Sequence, residues 1–332
     1  MSRLVDLTAR LSPRRVAIVG DVMLDHFLIG RVNRISPEAP VPIVRVDRDE
    51  YRLGGAANVA HNVRALGADA ALVGLVGDDE AARLLRREMT TSGIPDTWLV
   101  VDRERQTTRK VRVVSARNQQ VARLDYEQDV DPSATTAAAL TSALAAAARD
   151  AQVLVVSDYR KGTVTPALIS AAADAATAAG VPLLVDPKVP VAERYRGASL
   201  LTPNHHEAEL MTGRTIRTAG DARDAARTLH ERCGASVLIT WGEHGMWLLD
   251  ANTATGGYVE ERLPTAAREV SDVTGAGDTV IAVLALACAA GATLSEAARL
   301  ANLAAGLVVA RFGPAVLSRD ELAAAIADMP LP

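Results

Sequence analysis

Val153-Leu154-Val155-Val156-Ser157 is a short apolar run, and Pro182-Leu183-Leu184-Val185-Asp186 repeats it after a helical stretch over 166–179. A strand without polar alternation is buried on both faces, as parallel strands covered by helices are. The same rhythm extends outward in both directions. Upstream, Arg15-Val16-Ala17-Ile18-Val19-Gly20 ends at Asp21, a strand at 70–76 precedes a helix at 79–92, and a helix follows at 133–149. Downstream come a helix at 219–232, a strand at 236–240 and long helices at 276–289, 295–309 and 319–327. Strands alternating with helices place the chain in the α/β class, a mostly parallel sheet with helices on both faces. Two regions break the rhythm. Extended segments at 27–35 and 42–51 flank Ser36-Pro37-Glu38-Ala39-Pro40-Val41-Pro42, whose prolines forbid helix. Segments at 107–114 and 120–126 read as a hairpin around Ala116-Arg117-Asn118. A single domain over 1–332, with a small β-lid from segments around 26–52 and 106–126, is the expectation.

The 332 residues are 49% hydrophobic and 23% charged, which excludes a disordered chain. A net charge of −4 argues against a nucleic-acid binder that blankets phosphates with basic side chains. Cys233 and Cys288 make no disulfide framework and no C-x-x-C. The N-terminus has no signal-like apolar stretch, and the longest apolar tract, 280–292, falls short of the roughly 20 residues of a membrane span. A cytoplasmic protein without a nucleic-acid or membrane partner is expected. Only Lys110, Lys161 and Lys188 are lysines among 36 basic residues. In so arginine-biased a chain, a surviving lysine points either to a need for a compact ammonium or to three accidental survivors.

Chemistry concentrates in Asp272-Val273-Thr274-Gly275-Ala276-Gly277-Asp278-Thr279, at the head of a long apolar helix. Gly275, Ala276 and Gly277 leave backbone N–H groups bare at a helix N-terminus, an anion hole for a phosphoryl group. Asp278 in the first turn suits a base that takes a proton from an attacking hydroxyl. A helix cap and a tight turn would explain the same residues equally well on spacing alone. Leu53-Gly54-Gly55-Ala56-Ala57-Asn58 is a second candidate, with room for a ligand near the backbone and Asn58 as donor and acceptor. Asp21 and Asp25, just after the first strand, stand where open α/β sheets place their crevice and suit sugar hydroxyls.

With Gly54-Gly55-Ala56-Ala57-Asn58-Val59-Ala60 and Asp272–Thr279 in this order, the chain resembles the ribokinase-like (PfkB) carbohydrate kinases over essentially its whole length. That resemblance implies ATP and Mg²⁺, with Asp278 as the catalytic base and Gly275, Ala276 and Gly277 as the anion hole. It also implies that Asp21, Asp25, Gly54, Gly55 and Asn58 hold the sugar, and that the lid forms a homodimer contact. Asn204 and Glu207 match the family's N-x-x-E motif for Mg²⁺ and phosphates, although the pair also reads as a capping box. His205 and His206, within that motif, are expected on the cofactor side with it, although adjacent helical residues point about 100° apart and make a poor metal pair. Thr240, Gly242 and Gly245 resemble the nucleotide turn, and Asn302 and Ala305 stand where the family packs adenine.

Gly20–Asp25, Arg34–Pro42, Ser157–Gly162, Asp186-Pro187-Lys188 and 194–198 resemble the branch acting on D-glycero-β-D-manno-heptose 7-phosphate, in its stand-alone kinase form. A phosphorylated sugar needs cations, and Lys110, Arg112 and Arg123 on the hairpin are expected to hold its phosphate, with Arg34 closing from the lid. Lys161 and Lys188 follow strand ends and are expected to meet anions at the crevice. Thr240-Trp241-Gly242, Ala116 and Gly313-Pro314-Ala315-Val316 depart from that branch. A kinase of ribose, fructose phosphate or a nucleoside is the alternative, as is a catalytically silent sensor on the same fold.

Overall fold

In the first long strand, Val16 and Ile18 enter one hydrophobic core while Ala17 and Val19 enter another on the opposite face. That two-residue alternation of direction makes a strand buried on both sides possible. The structure, a computed structural model, describes residues 2–116, 119–251, 257–267 and 269–328. Its strands are β1 Arg15–Gly20, β2 Val22–Ile35, β3 Pro42–Gly55, β4 Asp69–Val76, β5 Leu99–Val101, β6 Arg109–Ser115, β7 Gln120–Tyr126, β8 Val153–Ser157, β9 Leu183–Asp186, β10 Leu200–Leu201, β11 Ser236–Thr240, β12 Met246–Asp250 and β13 Val259–Leu263. Its helices are α1 Ser2–Ala9, α2 Ala56–Ala65, α3 Glu80–Thr91, α4 Ala134–Ala148, α5 Pro166–Ala179, α6 His205–Thr212, α7 Ala219–Cys233, α8 Ala276–Ala289, α9 Leu294–Val308 and α10 Arg319–Ala327.

The main sheet runs β13-β12-β11-β10-β9-β8-β1-β4-β5. It is parallel from β11 to β5, and β12 and β13 add an antiparallel edge. From β1 the chain steps to β4 on one side, and later from β8 to β9 on the other. The carboxyl ends of β1 and β8 therefore border the switch point, where a ligand crevice opens in such sheets.

A second sheet, ordered β3-β2-β6-β7, forms the lid. β2 and β3 are each 14 residues long and pair from Val22↔Gly55 to Ile35↔Pro42, with register shifts at Ile29/Gly30 and Val32/Arg34. β2 thus begins earlier, and β3 ends later, than the sequence suggests, and Gly54-Gly55 closes a strand instead of forming a free turn. The start of β2 is buried and its tip exposed, and Phe27, Ile29 and Val114 make a small separate core with Phe312 against it. Of the turn expected between β6 and β7, Arg117 and Asn118 lie outside the described residues. Among the described residues, no helix is long and apolar enough to cross a membrane.

Candidate active site

Helix α8 begins at Gly275, whose φ of 82° lies in the left-handed region, and no side chain caps it. Glycine is needed there twice over. The conformation disfavours a side chain, and a Cβ would stand 2.8 Å from the amide nitrogen of Asn58. Gly275, Ala276 and Gly277 line a cavity of about 720 Å³, so the open helix N-terminus faces into it. Asp278, one residue further, is 3% exposed and held from two sides. Asn58 Nδ2 donates to Oδ2 at 2.7 Å, and the Tyr159 hydroxyl donates to Oδ1 at 2.8 Å. Asn58 belongs to α2, where Asn62 donates to its carbonyl and in turn accepts from Thr279. This polar seam fixes α2 against α8 inside an otherwise apolar contact. Burial pushes the Asp278 carboxyl up to about 6, opposed by the two donors and reinforced by the nearby charge of Asp25.

On the lid side, Asp25 pairs with Arg112 across β2 and β6. Gly54 packs over it, since a Cβ there would meet Asp25 Oδ2 at 2.5 Å. Lys161 Nζ donates to Glu127 at 2.8 Å and to Asp129 at 3.3 Å, and Lys110 lies 4.0 Å from the other oxygen of Glu127. The fold therefore brings Lys110, Arg112 and Lys161 together around the base of the lid, each already facing a carboxylate. Arg123 lies opposite Arg112 in register but is half-exposed and pairs with Asp125, at the margin of this cluster. Arg34 is exposed near the lid tip.

Asp21 requires a correction. Its carboxylate is spent on the backbone, accepting from the N–H groups of Tyr159, Lys161 and Thr163 at 2.8, 3.1 and 2.9 Å, and it is 1% exposed. It anchors a loop and offers little to a sugar hydroxyl. Gly55 likewise sits at φ 57° with its successor Ala56 donating to the Asp21 carbonyl, so it shapes the chain locally.

The cavity on the other side of Asp278 is also lined by Lys188, Asn204, His205, Glu207, Thr240, Gly242, Gly245, Asn302 and Ala305. Its size suits a small-molecule ligand. His206 does not line it. That side chain is exposed and pairs with Glu209 on the outer face of α6, because consecutive helical residues diverge. Asn204 and Glu207 do form a reciprocal capping box, and the second oxygen of Glu207 pairs with Lys188 at 2.7 Å. Asn302 donates to the Pro264 carbonyl at 2.7 Å.

Sequence reasoning gave no role to Tyr159, Asp186 or Glu127. Asp186 ends β9 and lines the cavity, and burial, then Glu207 and Asp278, push its carboxyl well above the usual range. The signal was available for two of them: Asp186 closes a parallel strand and Tyr159 follows one by two residues, the rim where such sheets do their chemistry.

A family model described as pfkB family carbohydrate kinase matches residues 13–320. The chain belongs to that family. The bifunctional protein HldE of Caulobacter sp. (strain K31) is 48% identical to it over 322 residues, covering 96% of this chain and 64% of that protein. The bifunctional protein HldE of Citrifermentans bemidjiense is 44% identical over 318 residues, covering 96% and 64%. The chain thus spans 64% of the length of these curated relatives. Among solved structures, the tetrameric inhibited form of phosphofructokinase-2 from Escherichia coli superposes with a TM-score of 0.77 at 20% identity, over 95% of this chain and 98% of that one. Arabidopsis thaliana ribokinase complexed with ribose and ATP gives 0.72 at 20% identity, over 95% and 99%. These two share the fold. The pfkB family is one of carbohydrate kinases; the mostly parallel sheet is the one the sequence rhythm implied, and its ribokinase-like form is the one the resemblance implied.

Proposed function

We propose that this pfkB-family kinase transfers the γ-phosphoryl group of ATP to the anomeric hydroxyl of D-glycero-β-D-manno-heptose 7-phosphate in the cytoplasm, yielding the 1,7-bisphosphate and ADP. The observation that carries the chemistry is one buried carboxylate, Asp278, beside an uncapped helix N-terminus that opens into a cavity of about 720 Å³. The heptose assignment is supported by the lid segment 34–42, by the basic side chains around Lys110, and by kinship with the HldE proteins. A single kinase domain with its lid is part of the same reading.

In this reading Asp278 takes the proton of the attacking hydroxyl, whose oxygen forms the new bond to phosphorus as the bond to ADP breaks. The Gly275–Gly277 turn donates backbone N–H groups to the charge on the transferring group. Lys188, Thr240, Gly242, Gly245 and Asn302 would hold the nucleotide, and Asp25, Gly54 and Asn58 the sugar. The cavity fits a metal-bound nucleotide. Asp158, Asp186, Glu207 and Glu243 line it against one lysine, Lys188, and no arginine among the described residues, so a bare triphosphate would find few cations there. Mg²⁺ keeps several waters and leans on substrate phosphates, so two protein groups suffice for it. Asn204 and Glu207 would hold it, and it would supply charge neutralisation on the phosphates.

Because Asp278 must be ionised to accept a proton, activity is lost as pH falls through its raised pKa. We expect the pH profile of kcat/KM to level above about 6 and to drop tenfold per unit below it. A profile flat to pH 4.5 would remove Asp278 from this role. A homodimer through the lid belongs to the same proposal, since Val32, Ile35, Val41, Val46 and Leu124 are exposed on that sheet and its connection. Light scattering is expected to give twice the chain mass, and replacing Val32 and Val46 with Lys to return the monomer.

A further inference from the structure

The segment from Ser157 to Thr163 is wired to the base from one end and to the lid cluster from the other. Three of its amides are clamped by Asp21, as described, and Arg160 N donates to Asp158 Oδ1 at 2.9 Å. The other oxygen of Asp158 accepts from the hydroxyl of Tyr195, which itself accepts from the amides of Lys188 and Val189. Arg105 Nη1 donates to the Lys161 carbonyl at 2.8 Å. Among the described residues, Arg160 is the one non-glycine with positive φ, at 55°. An arginine held in the left-handed region costs energy, and it persists only where the surroundings dictate the backbone path. Here the path brings the Tyr159 hydroxyl to 2.8 Å from Asp278 Oδ1.

We propose that Tyr159 is a positioning residue for Asp278, its phenol and the Asn58 amide each fixing one carboxylate oxygen so that the remaining lone pairs face the attacking hydroxyl. Asp21 acts one step behind, as the anchor of the loop that aims the phenol. The proposal rests on the reading of Asp278 as base. Two donors on opposite oxygens fix the carboxylate plane, and a base that does not rotate spends less of its encounters misaligned. The phenol also favours the ionised carboxylate against burial, because a hydrogen bond to the charged form lowers a carboxyl pKa. The other titratable groups around Asp278 are Asp25 from β2, paired with Arg112 of β6, and Asp186 from β9, which faces Glu207 and Lys188. Neither donates to Asp278, so Tyr159 and Asn58 alone supply hydrogen bonds to it among the described residues. If Tyr159 only filled space, its ring would suffice and the hydroxyl would be dispensable.

Tyr159→Phe tests this by removing one oxygen. With the best acceptor from a sugar panel, the variant is expected to lose about tenfold in kcat while KM for ATP stays within about twofold. The acid limb of its kcat/KM profile is expected to move up by about one unit, the direction set by losing a donor to a charged group. Asp21→Asn, which keeps the phenol but loosens its anchor, is expected to shift the limb the same way. An unmoved limb and unchanged kcat in a folded Tyr159→Phe overturn the proposal while leaving Asp278 as the base. If Tyr159→Phe does not fold, an unmoved limb in Asp21→Asn overturns it equally. An Asp278→Asn variant that still turns over in the same assay overturns both readings.

Discussion

Asp278→Asn is expected to lower kcat by ~10²–10⁴-fold, the usual cost of a missing general base, with ATP affinity changed by less than about twofold. The variant keeps the local hydrogen bonds. An Asn oxygen can accept from Asn58 Nδ2, and its amide can donate to the Tyr159 hydroxyl, which accepts as readily as it donates. What the variant cannot do is take a proton. Its stability gives a second readout. A carboxyl raised from 3.8 to about 6 by burial is stable in the fold when protonated, and its cost to the fold grows as pH rises from 3.8 to about 6. At pH 8 that cost is fully present and amounts to about 3 kcal/mol. Asn carries no charge to bury, so the inactive variant is expected to melt at a higher temperature than the parent at pH 8. The advantage should shrink toward pH 4.5. Near-normal turnover would show that another group accepts the proton.

Removing the 7-phosphate from the acceptor is expected to lower kcat/KM by at least ~10²-fold, because charged partners left unpaired in a partly buried site are costly. Lys110, Arg112 and Lys161 have side chains only 18%, 14% and 14% exposed. Burial pulls the Lys110 ammonium below its usual pKa against the attraction of Glu127 and Asp125. Lys110 and Lys161 share Glu127, so an incoming phosphate has to win them from a carboxylate. A dianion can do so; a neutral hydroxyl cannot. The measurement is ATP consumption with heptose 7-phosphate, unphosphorylated heptose, ribose, fructose 1- and 6-phosphate, and adenosine. Heptose 7-phosphate is expected to give the highest kcat/KM. A clear preference for ribose, a fructose phosphate or adenosine would defeat the heptose assignment and leave the carbohydrate kinase standing.

The local elements were written plainly in the chain. α5 and α8 occupy the residues their apolar periodicity and flanking glycines mark, and Asn204 and Glu207 cap α6 as their spacing implies. The antiparallel edge was harder to read. β12 and β13 follow β11 with no α-helix between them, outside the strand–helix rhythm, and they are strands because β11 offers β12 a partner and β12 in turn offers one to β13. The two signature stretches around Asn58 and Asp278 could be found from the sequence, but their meeting could not be derived from it. They are 220 positions apart and touch because α2 and α8 cover the same face of the sheet. Asp21 shows the converse. Its place after β1 is a sequence fact that suggests a ligand, yet the loop after β8, pulled alongside by the β1–β8 pairing, turns three amides onto its carboxylate. Periodicity, capping and glycine placement are decided within a few residues by local sterics and hydrogen bonding, so the sequence determined the elements, and the resemblance it carries proposed Asp278 as the base. Which groups surround that base depended on which strand ends the crossovers brought together, and only the tertiary structure decided that.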